Sequence, residues 1–419
     1  MSIEEVHNIK GYTVILIKSK SKNTFIQSYI QTGNIDENKE NAGISHLMEH
    51  IFSDSWKTCR GPCSEYWKEI GTISNAYTSN TFVGYWIMGL KEQAEKMCKY
   101  VIAQSTCTYI KYDILKKEKK AVEEEYLKEY NKPTWKLWNK MNKLLYENTG
   151  LVHANDLPLR IANLKNISKD DIDTFCKKMY TPKNTLFIVS GSFIKKNILN
   201  IFESHLKNIN SCPKYITPSI NNKKIVHHIE YQNAKKTEIL ITFHSQFFYK
   251  DEETIFFPLI EMILSDGLES ILLEHLREEL NLIYGISLEF DIDLTGTTTN
   301  IYYSTADKNI KKTIEQTILK LKDFVDGKFK KKRLTGVKNK YLIRKENTCF
   351  TPKFLADFYG DQYANQLQNE KKKIVTFEEV YEKIKKISKK KLCRIGKKVF
   401  DFNTFKIIYM GKTKSHTKV

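Results

Sequence analysis

Two segments of this 419-residue chain share one pattern: Asn184-Thr-Leu-Phe-Ile-Val-Ser-Gly191 and Asn403-Thr-Phe-Lys-Ile-Ile-Tyr-Met-Gly411. Each begins with Asn-Thr, continues as a β-rich run and ends on glycine, and the two lie about half the chain apart. An amphipathic helix pattern precedes each segment, at 169–179 in the first half and at 377–399 in the second. The sequence therefore predicts a duplicated α+β unit.

Each half of the chain also opens with two strand patterns. These patterns lie at 12–18, 24–32, 223–231 and 237–244. The polar, proline-containing stretch 208–222 separates the halves and predicts a linker. We therefore expect a first domain at 1–207 and a second, homologous domain at 223–419.

The composition indicates a globular protein without a membrane span. Hydrophobic residues make up 41% of the chain and charged residues 28%, and every apolar run is far shorter than the ~20 residues that cross a bilayer. The first seven residues include two glutamates, which argues against a secretory or mitochondrial leader. The frequent Lys, Asn and Ile residues are typical of an AT-rich genome, such as that of a protist or a large DNA virus. We expect a cytoplasmic protein or, if a virus encodes it, one in the virion or viral factory.

The excess of 68 basic over 49 acidic residues gives a net charge of +19, which raises the alternative of a nucleic-acid-binding protein. The lysine runs, such as 330–333 and 389–391, flank helical patterns and are typical of solvated helix faces. The sequence has no helix-turn-helix, zinc-finger or aromatic RNA-binding signature. Nucleic-acid binding is therefore the less favoured interpretation.

Eight cysteines are sparse for this length and lie mostly within apolar patterns, which predicts reduced, buried thiols. The segment Cys59-Arg-Gly-Pro-Cys63 leaves three alternatives open. We favour a surface loop with free thiols over a small disulfide loop or a pair of metal donors, because no second Cys/His pair lies nearby.

The segment His46-Leu-Met-Glu-His50 has the chemistry of a metal site. Two histidines four residues apart project from one face of a helix and can bind one ion. Glu49 would lie beside the ion and act as a general base toward a water molecule. Alone, this pattern also arises by chance as two surface histidines.

A catalytic zinc requires a third protein ligand, and the charged segment Glu118-Lys-Lys-Ala-Val-Glu-Glu-Glu125 offers one. Glu118 and Glu125 are seven residues apart, two helical turns along the same face. Without the histidines, this cluster would be interpreted as an exposed, salt-bridged helix face.

Together these residues resemble the pitrilysin or insulysin family of zinc metallopeptidases, which includes the mitochondrial processing peptidase. In that family His-x-x-Glu-His is followed, after about as many residues as the 51–124 that separate His50 from Glu125 here, by a ligand glutamate with a supporting glutamate seven residues earlier. Glu125 fits this pattern, whereas Glu123 and Glu124 have no glutamate seven residues before them. The resemblance implies that His46, His50 and Glu125 hold one Zn²⁺ per chain, that Glu118 orients a ligand and that Glu49 is the catalytic base. In length and layout the chain is most similar to the group of the processing peptidase β-subunit.

Two further segments carry the resemblance. Gly71-Thr-Ile-Ser-Asn-Ala-Tyr-Thr-Ser79 is similar to the family's Gly-x-x-x-Asn-Ala-x-Thr segment, which implies that Asn75, Ala76 and Tyr77 bind substrate as an edge strand. The segment 267–284 is similar to the motif Leu-Arg-Glu-x-x-Gly-Leu-x-Tyr, which implies that Arg277 and Tyr284 contact the substrate carbonyl. Asn281 stands where the motif has glycine.

For the whole molecule, the resemblance implies two domains of mostly antiparallel sheet packed with helices, forming one bowl-shaped half of a peptidase chamber. The expected activity is zinc-dependent endopeptidase cleavage of unfolded peptides. Because the chain has the length of one half, we expect a homodimer or a heterodimer with a related half. The alternative is a non-catalytic structural or substrate-holding subunit, which the intact ligands and base disfavour.

Overall fold

The computed structural model describes residues 4–54, 56–59, 62–107, 110–209, 218–249, 251–367 and 374–412. Most of the predicted linker, with Cys212, lies outside these ranges. No helix in the described part of the chain is long and apolar enough to cross a membrane.

Thirteen strands are present within the described residues. They are β1 (Glu4–Ile9), β2 (Tyr12–Lys18), β3 (Asn23–Ile30), β4 (Ile73–Thr78), β5 (Val83–Leu90), β6 (Tyr146–Glu147), β7 (Thr185–Gly191), β8 (Ser219–Ile220), β9 (Ile225–Glu230), β10 (Thr237–Ser245), β11 (Ile283–Asp293), β12 (Gly296–Thr305) and β13 (Lys406–Gly411).

The helices follow in the same chain order. They are α1 (Ile44–Ser53), α2 (Cys63–Glu69), α3 (Ala94–Ser105), α4 (Leu115–Tyr130), α5 (Trp135–Leu145), α6 (Leu157–Asn166), α7 (Lys169–Met179), α8 (Lys195–His205), α9 (Phe257–Leu264), α10 (Ile271–Leu273), α11 (Ile310–Val325), α12 (Lys331–Glu346), α13 (Pro352–Ala364), α14 (Phe377–Lys386) and α15 (Lys389–Val399). A π-helical turn, Glu274–Glu279, continues α10.

The chain forms two compact units. The first unit draws its residues from Met1–Lys132, Thr149–Ile216 and Asn347–Ile374, and the second from Pro133–Asn148, Thr217–Glu346 and Val375–Val419. Each unit thus incorporates one helix from the other half of the sequence, α13 in the first unit and α5 in the second. The predicted division into two contiguous domains, ending at 207 and beginning at 223, stays a prediction.

The sheets of the two units repeat one topology. The first unit has the order β1-β2-β7-β3-β5-β4 and the second β9-β13-β10-β12-β11. Without β1 the orders correspond strand for strand, and the single parallel pair, β2 with β7 or β9 with β13, occupies the same place in both. All other neighbours in the two sheets are antiparallel. The prediction of two homologous α+β units with mostly antiparallel sheets is therefore confirmed.

The repeated segments form β7 and β13, which have neighbours on both sides in their sheets. Every residue of both strands is buried. The continuous apolar run is thus explained by burial on both faces of the sheet. In the first unit, one face packs against α3 and α8 and the other against α13.

The prediction of one helix at 377–399 is wrong, because the chain forms α14 and α15 there. Ser388 interrupts the helical pattern because it caps the start of α15. Its Oγ accepts the backbone N–H of Lys391 at 3.1 Å. Ser168 caps α7 in the same way in the first half, through the N–H of Asp171 at 3.2 Å. An N-cap serine satisfies a helix-end donor and marks a new helix within an apolar pattern.

The prediction of reduced thiols is also wrong for four cysteines. The structure pairs Cys59 with Cys63 and Cys107 with Cys176, with Cα–Cα distances of 5.3 and 6.3 Å. Both distances lie within the range that a disulfide spans. The second pair joins residues far apart in sequence, and spacing rules cannot anticipate such a contact. The prediction of buried thiols holds for Cys98 and Cys393.

Candidate metal centre

Helix α1 carries the His-x-x-Glu-His segment, and its N-terminus is fixed by a buried carboxylate. Glu37, 4% exposed, accepts the backbone N–H groups of Gly43 at 2.8 Å and Ser45 at 3.0 Å. A negative group at this end satisfies unpaired donors and complements the helix dipole. Gly43 has φ +102°, a left-handed conformation that glycine adopts without strain.

The structure brings the three predicted metal ligands together. One donor atom from each of His46, His50 and Glu125 lies within 4.8 Å of the other two. Oε2 of Glu125 on α4 is 3.5 Å from Nε2 of His46 and 3.7 Å from Nε2 of His50. Two zinc ligands with bonds of 2.0–2.1 Å in tetrahedral geometry are separated by about 3.4 Å. The three side chains therefore fit a zinc ion.

Each histidine has a polar partner at its other ring nitrogen. Nδ1 of His50 is 3.4 Å from Oε2 of Glu118, whose carboxylate is buried and also lies 3.3 Å from Nζ of Lys117. Nδ1 of His46 is 3.1 Å from the hydroxyl of Tyr126. Partners of this kind fix the orientation of metal-binding imidazoles.

Burial controls the ionisation of the site. It lowers the pKa of His46 to about 3, helped by the nearby His50 and by the guanidinium of Arg160. His46 is therefore a neutral imidazole, the form that binds metals. Burial also raises the pKa of the Glu49 carboxyl, while a hydrogen bond from Thr78 opposes that rise.

Glu49 projects from α1 beside the histidines but lies outside the group of three donors. Its Oε2 accepts a hydrogen bond of 2.6 Å from Oγ1 of Thr78 on β4. The hydrogen bond thus ties the carboxylate to the sheet, apart from the three predicted ligands. This arrangement suits a group that exchanges protons next to a metal.

A cavity of about 420 Å³ lies in front of these residues. Its lining includes His46, Glu49, His50, Glu118 and Glu125 together with Ser74, Asn75 and Ala76 of β4. Among the described strands, β4 pairs with β5 alone and forms an edge of the sheet. The predicted edge strand and the predicted metal ligands thus border one cavity.

Tyr77 is the exception among the three predicted substrate residues. Its ring packs against Gly84, and its hydroxyl accepts a 3.3 Å hydrogen bond from Nε2 of Gln27. Side chains alternate along a strand, so the Tyr77 side chain lies on the face opposite to those of Ala76 and Thr78. The Tyr77 side chain therefore packs within the first unit and does not line the cavity.

Arg277 and Tyr284 lie in the second unit, next to each other. The guanidinium carbon of Arg277 is 4.8 Å from the ring centre of Tyr284, and Tyr284 is 76% exposed. Arg277 belongs to the π-helical turn, and such turns are frequent at functional sites. Asn281, which stands where the related motif has glycine, has φ +51°, in the left-handed region that favours glycine.

Sequence reasoning missed three contributors to the site: Thr78, Tyr126 and Arg160. Thr78 stands in the segment that resembles the family motif, and its contact with Glu49 is visible only once β4 lies beside α1. Tyr126 directly follows the predicted ligand Glu125, and this position was the one local signal for it. Arg160 reaches Tyr126 from α6, at a distance of 3.1 Å.

A His-x-x-Glu-His helix joined by a glutamate from a neighbouring helix defines the inverted-zincin class of metal sites. The family described as Insulinase (Peptidase family M16) matches residues 13–153, and the one described as Peptidase M16 inactive domain matches residues 166–341. The chain therefore belongs to the M16 peptidase family.

One curated protein and two solved structures illustrate what the chain is similar to. An uncharacterized zinc protease of Bacillus subtilis, YmxG, is 24% identical over 356 residues, covering 81% of this chain and 83% of that protein. A protease from Helicobacter pylori has a TM-score of 0.82 at 16% identity, over 98% of this chain and 100% of that one. The peptidase M16 inactive domain from Pseudomonas fluorescens has a TM-score of 0.84 at 14% identity, over 99% of this chain and 98% of that one. At these identities the two structures establish the fold.

Proposed function

We propose that this chain is a zinc-dependent endopeptidase that cleaves unfolded peptides. The observation that carries the proposal is the convergence of His46, His50 and Glu125 within 4.8 Å, with Glu49 beside them and outside the donor set. Three protein ligands leave one position of a tetrahedral zinc for chemistry, as in catalytic rather than structural sites.

A zinc ion held by His46, His50 and Glu125 would polarise the scissile carbonyl and make water more acidic. Because Oε2 of Glu49 accepts the Thr78 hydrogen bond, Oε1 is the oxygen available to the reaction. Glu49 takes a proton from the attacking water on Oε1 and then delivers it to the nitrogen of the leaving amine.

We propose that substrates bind as an extra strand along the free edge of β4. Ser74, Asn75 and Ala76 of that strand border the cavity that contains Glu49 and the ligands. A peptide that pairs with the backbone of β4 brings a carbonyl next to them, and such pairing is largely independent of side-chain identity. Tyr77 would contribute through its backbone only, since its side chain is packed within the unit.

The alternative function is a non-catalytic subunit, as the words "inactive domain" in one matched family suggest. That match, however, covers residues 166–341 and not the segment with the ligands. In the second unit α9 is the counterpart of α1, between corresponding strands, and its sequence Phe257-Pro-Leu-Ile-Glu-Met-Ile-Leu264 has no histidine. The second repeat therefore lacks the metal motif, whereas the first retains every ligand.

The test combines metal analysis with cleavage of a random peptide library by the pure protein. We expect about one zinc per chain, in keeping with one ligand set, and cleavage at internal bonds. Glu49→Gln should abolish cleavage and retain zinc. Glu129→Gln is the matched control, because Glu129 lies on α4 and pairs with the exposed Lys132 away from the cavity. Zinc without cleavage in the wild type would favour the non-catalytic subunit, and absence of zinc would contradict the metal site.

A further inference from the structure

Tyr126 lies directly behind His46, on the side away from Glu125. It follows Glu125 on α4, is 7% exposed, and its ring centre is 5.4 Å from that of His46. Its hydroxyl oxygen is 3.1 Å from Nδ1 of His46, within hydrogen-bond distance. The opposite ring nitrogen, Nε2, faces the carboxylate of Glu125. The imidazole is therefore held between the hydroxyl and the ligand cluster.

Arg160 fixes Tyr126 from the opposite side. The guanidinium is buried and donates from Nε to the Tyr126 hydroxyl at 3.1 Å. It also donates from Nη1 to Oδ1 of Asn34 at 3.1 Å and to the carbonyl of Ala154. Arg160 has several fixed partners, so its orientation does not depend on Tyr126 alone. A guanidinium has no acceptor atom and must be the donor toward the phenol.

The backbone at the start of α1 packs closely against this pair. A Cβ atom placed on Gly43 would lie 3.3 Å from the Tyr126 hydroxyl and 3.6 Å from Nε of Arg160. Gly43 is also the residue whose N–H is bound by Glu37. The hydroxyl is thus confined by the helix that carries the histidines, and its distance to His46 is set by packing.

The direction of the His46–Tyr126 hydrogen bond decides which nitrogen of His46 has a free lone pair. A phenol oxygen that already accepts from Arg160 can accept a second bond, from Nδ1–H of His46. In that arrangement Nε2 is unprotonated and points at the cluster, ready to bind a metal. If Tyr126 instead donated to Nδ1, a neutral imidazole would carry its proton on Nε2.

We infer that Tyr126, oriented by Arg160, is a positioning residue that holds His46 as its Nδ1–H tautomer and so preorganises Nε2 for zinc. The inference rests on the proposed function. His50 has a different partner, the carboxylate of Glu118. The two histidine ligands are therefore supported by different chemistry, a phenol at His46 and a carboxylate at His50.

The test measures zinc affinity and tautomer separately from activity. Tyr126→Phe keeps the ring and removes the acceptor, so zinc affinity by competition with a chelator should fall about 10–100-fold. The matched control is Tyr303→Phe in the second unit, which removes another buried tyrosine hydroxyl, one that accepts from Thr317, and should leave zinc affinity unchanged. In metal-free wild type, ¹⁵N NMR should show the His46 proton on Nδ1.

The outcomes separate the two proposals. If the wild type binds zinc tightly and Tyr126→Phe binds it equally well, the positioning role of Tyr126 is overturned and the peptidase proposal stands. The same holds if the wild type binds zinc tightly and carries the His46 proton on Nε2. A wild type that binds no zinc overturns both. The tautomer is read on the wild-type protein, so this measurement decides the inference even where the variant fails to fold.

Discussion

Thr78 donates a hydrogen bond of 2.6 Å from its hydroxyl to Oε2 of Glu49, and this contact joins the edge strand β4 to helix α1. The strand that we propose as the substrate-binding edge therefore also sets the orientation of the proposed base. A peptide that pairs with β4 and the carboxylate that would act on it are positioned by the same element. Catalysis should accordingly depend on Thr78 even though it binds no metal.

Thr78→Val keeps the shape of the side chain and removes the hydroxyl. We expect kcat to fall by about tenfold or more, because a well-placed general base contributes about 10²–10⁴-fold. KM and zinc content should change little. Thr78→Ser, which retains a hydroxyl, should recover most of the rate in assays with a fluorogenic peptide. Wild-type kcat in Thr78→Val would show that Glu49 needs no such support.

Substitutions at His50 and Glu118 should separate a ligand from the residue that orients it. His50→Ala removes a donor and should abolish zinc retention on dialysis. Glu118→Gln leaves all donors in place and should weaken zinc binding by about 10–100-fold, as is usual for residues that support metal ligands. Metal content and chelator competition would measure both effects. Equal losses in the two variants would argue that Glu118 is itself a ligand.

Zinc removal should lower thermal stability as well as activity. A metal that binds only the folded state stabilises it by RT ln(1 + [Zn]/Kd), about 2.7 kcal/mol when free zinc is 100 times Kd. We expect the melting temperature to rise with added zinc in the wild type and in Glu49→Gln, and not in His50→Ala. Calorimetry on chelator-treated protein would measure this. A zinc-dependent rise in His50→Ala would place the binding site elsewhere.

Asn281 gives a stability prediction in the second unit. Its φ of +51° lies in the left-handed region, where the N–H groups of Asn281 and Leu282 close the helical turn onto Arg277 and Leu276. Asn281→Gly should retain or raise the urea midpoint. Asn281→Ala should lower the free energy of unfolding by about 1 kcal/mol, because a Cβ without a compensating polar group is strained there. A stabilised alanine variant would contradict the assigned backbone conformation.

The parts of the site that could be predicted from sequence are those fixed by helix periodicity. His46 and His50 are one turn apart and Glu118 and Glu125 are two turns apart, so each pair shares a face whatever the rest of the fold. The contacts of Thr78 with Glu49, Arg160 with Tyr126, and Cys107 with Cys176 depend on how separate elements pack. No local pattern records such contacts, because each partner is also reasonable as an ordinary polar or buried residue.

The same limit applies to the fold. The repeated strands β7 and β13 were predictable because burial on both faces gives a continuous apolar run. The placement of α5 and α13 was not predictable, because each helix joins the unit formed mainly by the other half of the sequence. Amphipathicity shows that a helix has an apolar face but not which sheet that face covers.

Arg277 provides the final prediction, on how the active site is completed. Resemblance to peptidases made of two halves leads us to propose that Arg277 and Tyr284 of one chain serve the metal site of a partner copy in a two-fold dimer. The experiment mixes Glu49→Gln chains with Arg277→Ala chains, each nearly inactive alone. In a mixed dimer one site then carries both lesions and the other carries neither, so activity should recover toward half of the wild-type value per mixed dimer.

Mixing Glu49→Gln with His50→Ala is the control, because both lesions lie in the first unit and each mixed dimer retains a defect in both sites. Recovery in the mixture of Glu49→Gln with Arg277→Ala, and not in the control mixture, would support a shared site. No recovery in a mixture shown to exchange subunits would contradict a shared site between two copies of this chain.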